Sequence, residues 1–127
     1  MILKYIILYV ENVPATIKFY NDAFDFKTRF IHEAEDYGEI DTGTTTLAFS
    51  SLKLMSELGK NPSVANPGNP AFEIAFETND VEKWLTKAVS NGATLVQDVK
   101  EEQWGQTTAY VSDKNGFLIE ICTPVGQ

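Results

Sequence analysis

At 127 residues and a net charge of −8, the chain is short for more than one domain and too acidic to grip nucleic acid, which needs clustered Lys and Arg. Its 43% hydrophobic and 22% charged residues are an ordinary globular balance, enough to bury a core. A single cysteine, Cys122, excludes an internal disulfide framework and fits a reducing, cytoplasmic compartment.

The opening run MILKYIILYV is apolar but too short to span a membrane, and no small-residue cleavage site follows it. It therefore reads as a strand. Asn12 caps a helix whose first turn takes Pro14, where a missing N–H costs nothing. Val13, Ile17, Tyr20 and Phe24 then recur at helical spacing as one apolar stripe. Three short strand-like runs follow, one of them the Phe30–Ala34 run that holds His32, the only histidine and read as a surface residue.

Residues 59–70, with three prolines and two glycines, read as a linker. Beyond it the pattern returns. Laid over each other, the halves match Tyr5 with Glu73, Asn12 with Asp80, Val13 with Val81, Ile17 with Leu85 and Tyr20 with Ala88. The closing hairpins match too, with Ala48 on Glu120 and Ser50 on Cys122. Asn79 or Asp80 caps the second helix, and Asn91-Gly92 stops it. The expected fold is α+β: one domain, 1–127, of two tandem βαβββ modules, 1–58 and 71–127.

Strand residues alternate between faces, so Leu8, Val10, Phe49, Ile119 and Ile121 are expected beneath the helices. The opposite face then carries Tyr5, Ile7, Tyr9, Ala48, Glu73, Glu120 and Cys122. Apolar walls with a few polar groups suit a ligand pocket, against the plainer reading of a solvated antiparallel face. Trp104-Gly105-Gln106 falls just before a neighbouring strand, at the rim.

Taken together, V10-E-N-V-P-A-T-I-K-F-Y20, G38-E-I-D-T-G, F72-E-I-A-F-E-T-N-D-V81, W104-G-Q106 and D113-K-N-G-F-L-I-E-I121 resemble the vicinal oxygen chelate superfamily. That superfamily includes glyoxalases, bleomycin-resistance proteins and extradiol dioxygenases. The resemblance implies an open, U-shaped cleft of mixed and antiparallel sheet, helices on its outer face, and a homodimer. It also implies four metal-ligand positions, which here are Tyr5, Ala48, Glu73 and Glu120. Ala48 cannot ligate, and Tyr5 is a poor ligand because a phenol ordinarily titrates near 10.

The expectation is a glyoxalase- or bleomycin-resistance-like protein that binds a small molecule through Tyr5, Tyr9, Ala48, Glu73, Trp104, Gln106, Glu120 and Cys122, with no tightly bound cofactor. The alternative is a lyase, isomerase or dioxygenase in which Glu73 and Glu120 are catalytic and hold a weak divalent metal. A third reading makes the module a protein-pairing unit. Neither nucleic acid nor a membrane is an expected partner.

Overall fold

The computed structural model describes residues 1–126. The chain forms two compact units, Met1–Val64 and from Ala65 onward, dividing inside the proline-rich segment 59–70.

In the first unit, β1 (Tyr5–Val10) leads into α1 (Val13–Phe24), then β2 (Lys27–Ile31), β3 (Tyr37–Asp41), β4 (Thr46–Ser51) and a short helix, α2 (Leu52–Glu57). The sheet order is β1-β4-β3-β2, with β1 and β4 parallel and the other pairs antiparallel. In the second unit β5 (Glu73–Glu77) and α3 (Val81–Ser90) precede β6 (Thr94–Glu101), β7 (Thr107–Ser112) and β8 (Leu118–Cys122). Their order, β5-β8-β7-β6, repeats the first with the same parallel pair. Each is an open four-stranded mixed sheet flanked by helix, and the βαβββ repeat is present.

The helix signals act as the sequence implies. Asn12 Oδ1 accepts from the Ala15 amide at 2.9 Å, and Asp80 Oδ1 from the Lys83 amide at 3.1 Å. Each satisfies one of the donors that a helix N-terminus leaves open. Gly92 (φ 104) continues the chain where a β-carbon would be strained. The stripe Val13, Ile17, Tyr20 and Phe24 is buried, as are Val81, Leu85 and Ala88. Tyr20 packs on Phe49 with ring centroids 5.2 Å apart, which fixes Phe49, and with it Leu47, on the helix side of β4. Gly38 lies directly across from Phe49 on the same face, where an added β-carbon would meet Ile17 Cδ1 at 2.5 Å.

Two features differ from the sequence reading. α2 was not expected; Ser51 caps it, its Oγ accepting from the Leu54 amide at 3.0 Å. His32 lies just past β2 rather than within a strand, exposed beside Asp36 and stacked on Phe30 at 5.3 Å. Among the described residues no helix is long and apolar enough to cross a membrane.

Candidate functional site

Once Phe49 and Gly38 face the helix, alternation puts Tyr37, Glu39, Ala48 and Ser50 on the other side of the first sheet. The same rule applied to the second sheet puts Glu73, Tyr110, Glu120 and Cys122 on its open face. The registers are equivalent: Ile7 pairs with Ala48 where Ala75 pairs with Glu120, and Glu39 pairs with Ala48 where Tyr110 pairs with Glu120.

In the second unit one phenol joins two expected site residues. Tyr110 Oη is 3.0 Å from Glu120 Oε2 and 3.2 Å from Glu73 Oε2. A phenol has one proton to donate, so it satisfies one carboxylate at a time. Two carboxylates this close repel unless a proton or a cation lies between them. Among the described residues neither Glu73 nor Glu120 has an ion-pair partner. Burial, reinforced by the hydrogen bond and charge of Glu120, holds the Tyr110 phenol well above its ordinary range, so it stays a donor. Cys122, buried on the same face, is also pushed up, first by burial and then by the charge of Glu120. That thiol is a poor nucleophile.

The first unit carries a related arrangement built from other residues. Glu39, only 7% exposed, accepts from Tyr37 Oη at 2.7 Å. Its other oxygen faces Arg29 Nη1 at 3.6 Å, while Arg29 donates to Thr46 Oγ1 at 2.7 Å. Burial, with the bond to Glu39, raises the Tyr37 phenol. Tyr5 is 47% exposed. Tyr9 is half-buried and Ala48 fully buried.

At the loop between β6 and β7, Trp104 is 61% exposed, its indole Nε1 donating to Gln106 Oε1 at 2.7 Å. Gln106 Nε2 donates in turn to the Thr123 carbonyl at 2.8 Å. Both ends of the Gln106 amide are thus engaged in holding the loop and the indole. The structure brings Glu73 and Glu120 together, and sets Cys122 beside Glu120. Tyr5 and Ala48 belong to the first sheet, at the positions equivalent to Glu73 and Glu120. A surface hollow lined by Asn21, Asp25, Phe26, Lys27 and Thr28 contains none of the expected site residues.

Sequence reasoning missed Tyr37, Glu39 and Tyr110. The signal was present in the alternation Tyr37-Gly-Glu-Ile-Asp41, which puts Glu39 on the face opposite Ile40.

The model of the glyoxalase-like domain matches residues 3–126. The chain belongs to the glyoxalase-like domain family. Solved structures agree in fold. A glyoxalase-related enzyme from Fulvimarina pelagi is 19% identical with a TM-score of 0.85, covering 99% of this chain and 93% of that one. A glyoxalase/bleomycin resistance protein/dioxygenase family enzyme from Burkholderia phytofirmans PsJN is 19% identical with a TM-score of 0.82, covering 97% and 98%. Both fit the vicinal oxygen chelate resemblance read from the motifs. The Gene 31 protein of Mycobacterium phage L5 is 31% identical over 61 residues, 48% of this chain but only 11% of that protein.

The four-ligand metal centre that the resemblance implies does not fit this glyoxalase-like chain. Ala48 offers no donor atom, and Glu73 and Glu120 share the Tyr110 hydroxyl. Among the described residues no group of three or more His, Cys, Asp or Glu is placed to hold a metal ion.

Proposed function

We propose that this glyoxalase-like protein binds a small planar cation against the open face of its second sheet, and does so without a resident catalytic metal. The observation that carries the reading is the Glu73–Tyr110–Glu120 cluster, two carboxylates on one phenol with, among the described residues, no ion-pair partner to balance them. A bound cation removes their mutual repulsion. The chain's charge of −8 attracts such a ligand and repels anions. The exposed ring of Trp104, in the same unit, supplies flat apolar area and cation–π attraction. Cys122 adds wall rather than charge; the homodimer that the resemblance implies and the cytoplasmic setting that the lone cysteine suits complete the proposal.

The test is titration with methylene blue, a planar cation, and fluorescein, a planar anion, followed by tryptophan fluorescence at two salt concentrations. Saturable, salt-weakened binding of methylene blue alone is expected. Equal binding of both dyes, or of neither, overturns the reading. Stoichiometric, tight uptake of a divalent metal in calorimetry overturns it in favour of the metal-dependent enzyme.

A further inference from the structure

The geometry points to Gln106 as a positioning residue: it holds the exposed indole of Trp104 as a preformed platform for the planar cation and does not contact the ligand itself. The inference rests on the cation-binding reading above and changes the role of a residue expected from the sequence among the binding groups.

An exposed tryptophan ordinarily samples several rotamers, and fixing one costs side-chain entropy. Trp104 is 61% exposed, yet its indole Nε1 donates to Gln106 Oε1 at 2.7 Å, and Gln106 Nε2 donates to the Thr123 carbonyl at 2.8 Å. The amide works only this way round. Reversed, it would set N–H against N–H at the indole and oxygen against oxygen at Thr123. Thr123 is itself tied to β7: its amide donates to the Thr107 carbonyl at 3.0 Å, and its Oγ1 accepts from the Thr107 amide at 2.9 Å. Two more bonds close the turn that carries the indole, from the Gly105 amide to the Glu102 carbonyl at 3.0 Å and from the Glu102 amide to the Gln106 carbonyl at 2.8 Å. The ring is therefore pinned through a chain of bonds that ends in the backbone of the second sheet. Glutamine serves because one planar group carries both an acceptor and a donor; glutamate would lose the bond to the Thr123 carbonyl.

Pinning has a chemical consequence. The indole has one N–H, and Gln106 takes it, so the ring offers a ligand its π face. That face attracts a flat or cationic group and has no donor for an anion. Thr123 directly follows β8, three residues past Glu120, which is about 10 Å along a strand rising about 3.3 Å per residue. A three-ring planar cation is long enough to cover that span. Because the ring is ordered before the ligand arrives, binding does not have to order it, and affinity rises by the cost avoided.

Trp84→Phe leaves Trp104 as the sole tryptophan, so fluorescence then reports this indole alone. In that protein, without dye, the anisotropy decay is expected to follow the tumbling of the whole molecule. Adding Gln106→Met, similar in length but without either hydrogen bond, should introduce a fast component. The same substitution should weaken methylene blue binding about two- to tenfold, the range for ordering one side chain on association. In a Trp104→Ala background Gln106→Met should have no further effect, because a positioning residue acts only through the ring it holds. An equal loss in both backgrounds would mean that Gln106 meets the ligand directly. Unchanged affinity in folded Gln106→Met would mean that pinning does not matter. Either result overturns the inference and leaves the cation-binding reading standing. If Gln106→Met does not fold, the dye-free decay of the Trp84→Phe protein decides: a fast component there overturns the inference, and its absence upholds it. Failure of the wild type to bind methylene blue overturns both.

Discussion

Across β7 and β8, Tyr110 and Glu120 stand directly opposite each other, the phenol 3.0 Å from the carboxylate. Since Glu73 lies within 3.2 Å of the same hydroxyl, removing it frees two carboxylates to repel. Tyr110→Phe should therefore destabilise the fold by about 1–2 kcal/mol at pH 7, read by urea denaturation, as a hydrogen bond to a charged group is worth somewhat more than a neutral one. High salt screens charge repulsion, so there the penalty should shrink. An equal penalty at low and high salt would show that the phenol acts through packing alone.

Tyr37 and Tyr110 should resist ionisation. Both phenols are raised in the folded protein, first by burial and then by their glutamate partners. The neutral form is favoured by folding, so their contribution to stability is complete below the unfolded value near 10 and is lost as pH rises above it. A spectrophotometric titration at 295 nm should show both phenols ionising only with alkaline unfolding. In Tyr37→Phe/Tyr110→Phe the late step should lose the absorbance of two phenols. A single step covering every tyrosine in the wild type would rule out the burial argument.

Most of the fold was legible because its signals are local. Asn12 and Asp80 sit where a cap must, and Val13, Ile17, Tyr20 and Phe24 share one helix face at fixed spacing. The first and last strands of each half could be matched directly, which placed Glu73 and Glu120 at equivalent positions. The inner strands have weak self-similarity, and Glu39 pairs with Ala48 only once the β3–β4 register is known. Tyr110 was hidden for the same reason: its partners, Glu73 and Glu120, come from two other strands. α2 carried little signal, since a six-residue helix has too few turns for a periodic stripe.

Gly38 tests how closely α1 approaches the first sheet. A β-carbon there would lie 2.5 Å from Ile17 Cδ1 and 3.2 Å from the Phe30 carbonyl oxygen. Gly38→Ala should cost about 1–3 kcal/mol, the range for overpacking a well-filled interior. The first clash is with the end of a side chain, so Ile17→Val should recover part of the loss when combined with it. Such coupling is expected for residues in contact. Strictly additive losses in the double variant would mean the helix moves as a body instead of the isoleucine yielding.

Cys122 gives a chemical readout of the charge on the second sheet. Its thiol is buried and raised, chiefly by desolvation and then by Glu120 and Glu77. Thiolate is the reactive species, and each unit of upward displacement lowers its population tenfold. At pH 8 the native protein should react with an aromatic disulfide reagent more slowly than the urea-unfolded chain. Glu120→Gln removes the largest charge acting on the thiol, so it should speed the native reaction while leaving the unfolded rate unchanged. Methylene blue bound at Glu73 and Glu120 should speed it electrostatically, unless the dye itself covers the thiol, in which case a neutral reagent and a charged one are slowed alike. A native rate equal to the unfolded rate, or one indifferent to Glu120→Gln, would show that Cys122 lies outside the field of these carboxylates.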